Sequence, residues 1–349
     1  MSSPLLSIDL DAIVENWRVL DARSGAGTQS AAVVKADAYG LGADRVAPAL
    51  HRAGARTFFV ALTEEGARLR PLLGPEVEIC VLSGHMEGDA PLIEAHALTP
   101  MLNSLDQVTR HFETLPGAPF GIQLDTGMNR LGMEMPEWEA VAGVVLNAGP
   151  RLLMSHLACA DEPGHPANAA QLAEFHRMTD GTGVARSLSA TGGILLGRDY
   201  HFDITRPGIG LYGCAPFTDA RPVVRLSLPV IQSRGVAAGE SVGYGYTWTA
   251  PHDSVVATVA AGYADGVHRR LAGKGRLWAG DTPCPILGRV SMDLITVDIS
   301  HLEHEPATLD LLGPAQGADA VADQIGTIGY EVLTALGPRY RRQYIGGAD

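Results

Sequence analysis

A lysine stands at the end of one of the apolar runs of the chain. The segment Val33–Gly42 reads VVKADAYGLG, and Lys35 ends its β-rich part. A buried lysine is rare unless it is paired or functional. Desolvation lowers the pKa of a lysine amine and frees its lone pair, as Schiff-base chemistry requires. The alternative is a lysine whose amine reaches solvent at a strand end, and position alone does not decide between the two.

Two arginines stand in segments that contain glycine. Arg130 lies in QLDTGMNRLGM, and Arg206 precedes Pro207 in ITRPGIGLYG. The proline favours an extended backbone at Arg206, and Gly208 lets the backbone approach a ligand closely. A planar guanidinium suits a bidentate contact with a carboxylate. A surface arginine and a structural arginine at a strand end are the simpler interpretations.

A histidine and a tyrosine are candidates for proton transfer. His156 lies in SHLACADE and Tyr244 in VGYGYTW. A lone histidine in a β run is more often a satisfied core residue, and a tyrosine between glycines is usually a turn or surface residue. A phenol has a reference pKa of about 10, so acid–base work near neutral pH needs nearby positive charge or strong hydrogen bonds. If Tyr244 shares a site with His156 and Arg206, as a family resemblance implies, a cationic His156–Arg206 side could supply them.

These segments belong to at least seven blocks that resemble one family in the expected order, from SIDLDAIVENW to GTIGYEV. The family is that of the fold-type III enzymes that use pyridoxal phosphate, specifically the alanine racemases. The resemblance implies that Lys35 binds the cofactor covalently and that Tyr244 acts from the partner subunit of a head-to-tail homodimer. It also implies that His156 bonds this tyrosine and that Arg206 contacts the pyridine nitrogen.

The same resemblance implies the remaining contacts of the cofactor and the substrate. Arg130 and the Met292 amide would bind the substrate carboxylate, and Asp161 would line the substrate entrance. Tyr263, Arg269 and Arg289 would line the substrate corridor. The residues implied for the cofactor phosphate are Tyr39, Thr191, Gly208, Ile209 and Tyr330.

The chain departs from the family pattern at three positions. Gln123 stands where many members carry a carbamylated lysine that fixes the arginine, so we hypothesise that the Gln123 amide oxygen or a bound anion orients Arg130. Thr191 replaces a serine, and its hydroxyl can do the same work. Ser291 replaces a cysteine.

Eight short apolar runs alternate with segments of helical character between residues 30 and 213, which predicts a parallel sheet closed into a (β/α)8 barrel. An open doubly wound sheet remains the alternative. The runs are Ala31–Ala36, Thr57–Leu62, Glu78–Leu82, Leu98–Leu102, Phe120–Asp125, Leu152–Leu157, Arg186–Ala190 and Phe202–Leu211.

The pattern changes after Pro216. Strand-like runs at Pro222–Arg234, Ser254–Ala260 and Leu294–Ile299 are joined by turns rich in glycine and proline. We predict a barrel over residues 1–218 and a mainly β domain over residues 219–349 that contributes to the partner's active site. The opening run Leu5–Leu10 fits a strand of either domain.

Composition limits the class of protein. The chain has 26 basic and 39 acidic residues and a formal net charge of −13, which disfavours nucleic-acid binding. No apolar stretch approaches the roughly 20 residues that span a bilayer. Asp9 and Asp11 stand where a secretory signal would need a basic flank. Four scattered cysteines and histidines without ligand spacing predict reduced thiols, no metal site and a cytoplasmic protein.

The family resemblance implies an enzyme that interconverts L- and D-alanine with pyridoxal phosphate and supplies D-alanine for peptidoglycan. Three alternatives stay open. A racemase of broader specificity would share these residues, while a decarboxylase of the same fold would present an acid to the pyridine nitrogen. A pyridoxal phosphate carrier built on a lone barrel would lack the second domain and Tyr244.

Overall fold

The computed structural model describes residues 3–347, which divide into two compact units. The first comprises Ile13–Tyr212 and Pro216–Ala220. The second comprises the described residues before Ile13, Gly213–Ala215 and the described residues from Arg221 onward. The opening strand Leu5–Asp9 pairs with strands of the second unit, which settles a placement that the sequence left open.

The first unit is a parallel barrel of eight strands. Each strand pairs with the next along the chain, and Ile204–Thr205 pairs with Gln29–Ser30 to close the ring. A backbone hydrogen bond from Arg206 to Ser189 joins the last two strands. The strands are Gln29–Ser30 continued by Ala32–Val33, Thr57–Val60, Glu78–Val81, Thr99–Leu102, Gly121–Gln123, Leu153–Met154, Arg186–Ser187 and Ile204–Thr205.

All eight predicted runs contain one of these strands, and the predicted barrel is confirmed. All four residues of Thr57–Val60 are buried, as expected for a strand covered on both faces. The first strand begins at Gln29, two residues before the predicted run, and ends at Val33. Lys35 therefore follows the strand, at the carboxyl edge where barrel enzymes place their active sites.

Helices alternate with the barrel strands. Their buried faces carry apolar side chains, for example Val46 and Leu50 of Ala43–Ala53. Ser104 caps Leu105–Thr114 by accepting a hydrogen bond from the Gln107 amide. The helices are Leu10–Ser24, Ala43–Ala53, Thr63–Leu73, Ala90–Ala95, Leu105–Thr114, Met135–Asn147, Pro166–Thr179 and Thr191–Leu196, with 3-10 turns at Arg198–Tyr200 and Ile209–Tyr212.

The second unit is mainly β, as predicted. Its main sheet has eight strands, and the long strand Val224–Val236 pairs with three of the others. The strands are Leu5–Asp9, Val224–Val236, Ser254–Val259, Arg276–Ala279, Thr282–Leu287, Ile295–Asp298, Thr308–Leu312 and Arg341–Ile345, with a separate hairpin of Ser241–Val242 and Trp248–Thr249. Two helices, Ala318–Ile325 and Gly329–Thr334, and 3-10 turns at Tyr244–Tyr246, Tyr263–Asp265 and Arg269–Leu271 complete this unit.

Within residues 3–347, no helix combines the length and the apolar character that a membrane span requires.

Candidate active site

Lys35 lies at the rim of the barrel, between two residues whose backbone amides are fixed by hydrogen bonds. The Val34 amide donates to the Phe59 carbonyl at 2.9 Å, and the Ala36 amide donates to the Glu65 carboxylate at 2.7 Å. Burial lowers the pKa of the Lys35 amine, and the positive charges of Arg130 and Arg206 lower it further, whereas Glu65 raises it. The environment therefore favours the neutral amine, the form that acts as a nucleophile or a base.

The backbone after Lys35 forms a left-handed helical turn. Residues Ala36–Tyr39 have φ between 53° and 56°, and none of them is glycine. Left-handed helical geometry costs an L-residue roughly 1–2 kcal/mol. The turn has its own hydrogen bonds, from Ala38 to Val34 at 2.9 Å and from Gly40 to Ala36 at 2.8 Å. Strain of this kind persists only where surrounding contacts hold it, and it is concentrated at functional sites.

Arg206 is buried, with 3% of its surface exposed. Its guanidinium donates to the Ser187 hydroxyl, to the Ser155 carbonyl at 2.6 Å and, more weakly, to the Leu188 carbonyl at 3.4 Å. Burial lowers its pKa to about 10, so it keeps its proton at neutral pH. The described ion pairs include none of Arg206, so hydrogen bonds to neutral groups hold its guanidinium in place.

His156 corrects one expectation from the sequence. Burial and the positive charges of Arg206, Arg130 and Lys35 lower its pKa to about 3. The ring is therefore neutral, because burial first and the neighbouring cations second disfavour its charged form, and of the predicted cationic His156–Arg206 side only Arg206 carries a charge. Arg206 can only donate, so at 3.5 Å the His156 Nδ1 accepts and the ring proton lies on Nε2. His156 can then donate a hydrogen bond from Nε2.

Tyr39, Thr191 and Gly208 meet at one place beside the barrel rim. A Cβ at Gly208 would overlap the Tyr39 hydroxyl, so only glycine leaves room there. The Thr191 hydroxyl accepts the amides of Gly208 at 3.1 Å and Gly210 at 3.2 Å. The Ile209 amide opens a 3-10 turn and has no recorded partner within residues 3–347. The Gly208 and Gly210 amides thus already have an acceptor, whereas the Thr191 O–H and the Ile209 amide are donors of the kind that an anion site uses.

Arg130 is exposed on the loop after Gly121–Gln123. The Asp125 carboxylate accepts the amides of Gly127 and Met128 at 2.8 and 2.9 Å and so shapes this loop. Within the described chain no hydrogen bond or ion pair of the Arg130 guanidinium is recorded. The buried Gln123 amide therefore does not hold Arg130 in this structure, and orientation by an anion stays a prediction.

In the second unit, Tyr244 opens an exposed 3-10 turn. Gly243 and Gly245 have φ of 77° and 72°, values that favour glycine, and the Arg289 guanidinium lies against Gly245. Tyr244 is 72% exposed and Tyr246 is 74% exposed. No hydrogen bond of the Tyr244 hydroxyl is recorded among the described residues. The backbone thus presents the phenol outward.

A second exposed segment of this unit carries Met292. The amides of Tyr263 and Ala264 donate to the carbonyls of Ser291 and Met292, both at 3.0 Å. Met292 is 52% exposed, and its own amide has no recorded partner within residues 3–347. The segment therefore offers a backbone donor for a carboxylate. Tyr330, predicted at the phosphate, is the second residue of helix Gly329–Thr334 in this unit.

Comparisons with known proteins cover both units. Residues 8–216 match the family described as alanine racemase, N-terminal domain, and residues 223–344 match alanine racemase, C-terminal domain. The chain belongs to the alanine racemase family. It is 67% identical to an alanine racemase of Cereibacter sphaeroides over 344 residues, which is 99% of each chain.

Solved alanine racemases have the same fold. The structure from Bartonella henselae, described with covalently bound pyridoxal phosphate, has a TM-score of 0.94 and 38% identity over 99% of this chain and 100% of its own. The biosynthetic enzyme of Pseudomonas aeruginosa gives 0.92 and 35% over 99% and 100%. Membership in the alanine racemase family makes the chain an isomerase, and the comparisons give no support to the broad-specificity alternative.

Several residues that brace the racemase site escaped the sequence analysis. Gln171 accepts the Ala158 amide at 2.8 Å and donates to the His156 carbonyl at 2.9 Å. Ser187 receives the Arg206 guanidinium. Arg339 binds both carboxylate oxygens of Asp265 at 2.6 and 2.7 Å and also Asp293 at 2.7 Å. None of them lies in a motif of its own, so only the folded contacts reveal them.

Proposed function

We propose that this chain interconverts L- and D-alanine with pyridoxal phosphate held through Lys35. The proposal rests on the 67% sequence identity to an alanine racemase over 99% of the chain, together with the buried residues at the barrel rim. Burial and two neighbouring cations, Arg130 and Arg206, lower the pKa of the Lys35 amine. These are the properties that a covalent cofactor-binding lysine needs.

The residues present fit the cofactor. Arg206 is buried without a recorded ion pair in the described chain, and the Lys35 amine has a lowered pKa. The Tyr39 hydroxyl lies against Gly208, and the Thr191 hydroxyl accepts the Gly208 amide, so hydroxyl and amide groups lie together where the phosphate would bind. Lys35 would hold the aldehyde carbon, and Arg206 would face the pyridine nitrogen. Tyr39, Thr191, Gly208, Ile209 and Tyr330 would hold the phosphate.

The chemistry needs two proton carriers on opposite faces of the substrate Cα. Pyridoxal phosphate, when bound, withdraws electrons from Cα and makes its proton acidic. Lys35 Nζ would remove or return the proton on one face, and the partner subunit's Tyr244 on the other. The family pattern assigns the lysine to the D-enantiomer and the tyrosine to the L-enantiomer. Arg130 and the Met292 amide would orient the substrate carboxylate.

Arg206 shapes this reaction by keeping its proton. With a pKa of about 10 it donates a hydrogen bond at neutral pH without transferring a proton. Neutral His156 would donate from Nε2 to the Tyr244 hydroxyl and so orient it. Withholding a proton from the cofactor ring favours return of the proton to Cα over transamination.

We further propose a cytoplasmic homodimer that supplies D-alanine for peptidoglycan. The outward Tyr244, at 72% exposure, supports a partner that covers it, since an exposed apolar patch marks an interaction surface. The Pseudomonas aeruginosa relative is described as biosynthetic, which supports the supply of D-alanine. In this proposal residues 1–218 bind the cofactor, and residues 219–349 complete the partner's site.

The proposal is tested by racemisation of single L-amino acids in heavy water. Alanine, serine, lysine and arginine are offered to the purified protein with pyridoxal phosphate, and chiral product and deuterium at Cα are measured. Rapid formation of D-alanine, with the other substrates far slower, is expected. Comparable turnover of the larger substrates would support a broad-specificity racemase instead, and no exchange on any substrate would refute the proposal.

A further inference from the structure

Glu65 joins the first two strands of the barrel beside Lys35. One carboxylate oxygen accepts the Ala36 amide at 2.7 Å. The other accepts the Ala61 amide at 2.7 Å and the Leu62 amide at 3.3 Å, directly after the strand Thr57–Val60. A single side chain therefore ties the backbone that follows the lysine to the end of the neighbouring strand.

The bond to Ala36 is important because of where it lies. Ala36 is the first residue of the left-handed turn, and the first amides of a helical turn find no acceptor within the turn itself. The same amide is bonded to the carbonyl carbon of Lys35, so fixing it fixes the lysine backbone. On the other side of Lys35 the Val34 amide is held by Phe59. Without Glu65 only one of these two restraints remains.

Glu65 also differs in charge from the other groups that act on Lys35. Arg130 and Arg206 are cations, His156 is neutral, and Glu65 is the anion among the described residues whose charges act on the Lys35 amine. An anion near the amine stabilises the ammonium form. Its charge therefore opposes the two arginines and burial.

We propose that Glu65 is a positioning residue for Lys35: its carboxylate ties the left-handed turn to the neighbouring strand and places a negative charge on this side of the lysine. The inference rests on the proposed role of Lys35 as the covalent cofactor ligand. Glu65 then makes two separable contributions, one geometric through the Ala36 amide and one electrostatic through its negative charge. The two contributions predict different behaviour for Glu65→Gln and Glu65→Asp.

The test uses the full-length chain freed of cofactor and follows the rate at which pyridoxal phosphate is incorporated, as a function of pH. Glu65→Gln removes the charge and replaces one acceptor by a donor that faces the Ala36 amide. We expect the plateau rate of incorporation to fall to about a tenth of that of the unmodified chain or below, because small displacements of a reacting group slow its reaction. The inflection shifts to lower pH, because the Lys35 pKa falls when the anion is lost.

Glu65→Asp keeps the charge but is one methylene too short to reach both strands. We expect its inflection to stay near that of the unmodified chain while its plateau falls. Glu64→Gln is the matched control, since Glu64 is an exposed acid in the same first helical turn, and it should change neither quantity. If circular dichroism shows Glu65→Gln to be unfolded, Glu65→Asp decides the geometric part.

Unchanged plateau and inflection in Glu65→Gln, or an unchanged plateau in Glu65→Asp, would overturn the proposal. A lower plateau in Glu65→Gln with an unmoved inflection would overturn its electrostatic part. Borohydride reduction followed by peptide mapping distinguishes failure of the Glu65 proposal from failure of the proposed function. The chain has two lysines, Lys35 and Lys274, so label on Lys35 supports the proposed function whatever the Glu65 variants do. Label on Lys274 alone, or none, would refute the role of Lys35 itself.

Discussion

The barrel rim and the Tyr244 turn hold their reactive groups in opposite ways. Arg206 is 3% exposed and fixed by several hydrogen bonds, whereas Tyr244 is 72% exposed and placed by backbone geometry. At the rim, burial and charge already alter the pKa of Lys35 and His156. The comparison teaches that the fold of the barrel itself buries and charges the rim, while the turn leaves Tyr244 exposed for the partner subunit that we propose.

The largest effect is expected from Lys35→Ala. Loss of both the covalent ligand and one proton carrier should lower racemisation at least about 10³-fold. The measurement is the rate of D-alanine formation by chiral chromatography, with Lys274→Ala as control because it removes the other lysine of the chain. A Lys35→Ala protein with more than a tenth of the unmodified activity would show that the barrel rim is not the reaction centre.

Tyr244→Phe should separate the two regions. We expect incorporation of pyridoxal phosphate to be unchanged and racemisation to fall about 10²–10⁴-fold, because one face of Cα loses its proton carrier. Deuterium exchange at Cα should remain for D-alanine and be lost for L-alanine. Tyr246→Phe is the control, since Tyr246 is 74% exposed on the same turn. Equal residual exchange from both enantiomers would contradict the two-base assignment.

Thr191→Val should affect the barrel alone. It removes the acceptor of the Gly208 and Gly210 amides at a site that is 2% exposed, and each unpaired buried amide costs about 1–3 kcal/mol. We expect a lower free energy of unfolding in urea and weaker binding of pyridoxal phosphate in titrations. Thr191→Ser keeps the hydroxyl and should restore both. If valine and serine behaved alike, the hydroxyl would have no role here.

The smallest effect concerns the neutral His156. The reference pKa of histidine is about 6.5, so the unfolded chain takes up a proton below that pH, whereas folded His156 does so only near pH 3. Its burial therefore lowers the free energy of unfolding as pH falls from about 6.5 towards 3, by up to about 1.4 kcal/mol per pH unit. Above pH 6.5 it has no such effect.

Between pH 7 and pH 5, the free energy of unfolding should therefore fall by up to about 2 kcal/mol less in His156→Gln than in the unmodified chain. Urea unfolding at the two pH values measures this difference. The exposed His304 provides the control His304→Gln, which should leave this pH dependence unchanged. An identical pH dependence in His156→Gln would mean that folded His156 takes up its proton near pH 6.5, as the unfolded chain does.

The barrel was predictable because its buried parallel strands appear as continuous apolar runs, and each run contained a strand. The left-handed turn was not, since Ala36, Asp37, Ala38 and Tyr39 include no glycine to signal a positive φ. Glu65 was missed for the same reason, because its proposed positioning role depends on the conformation of that turn.

The second unit was less predictable. The strand Thr282–Leu287 contains Pro283 and Pro285, residues that disfavour a strand, and the sequence analysis did not detect it. The polar strand Arg341–Ile345 pairs with Leu5–Asp9 from the opposite end of the chain, and such long-range pairing leaves no local pattern. The strands at Arg276–Ala279 and Thr308–Leu312 were also missed.

The central claim is that each active site joins Lys35 of one subunit with Tyr244 of the other, and co-expression of Lys35→Ala with Tyr244→Phe tests it most directly. With random pairing, half of the dimers are mixed, and each mixed dimer then has one site free of both changes. The account predicts recovery to about a quarter of the unmodified activity, although each variant alone is nearly inactive. Activity no higher than that of the two variants separately would contradict it.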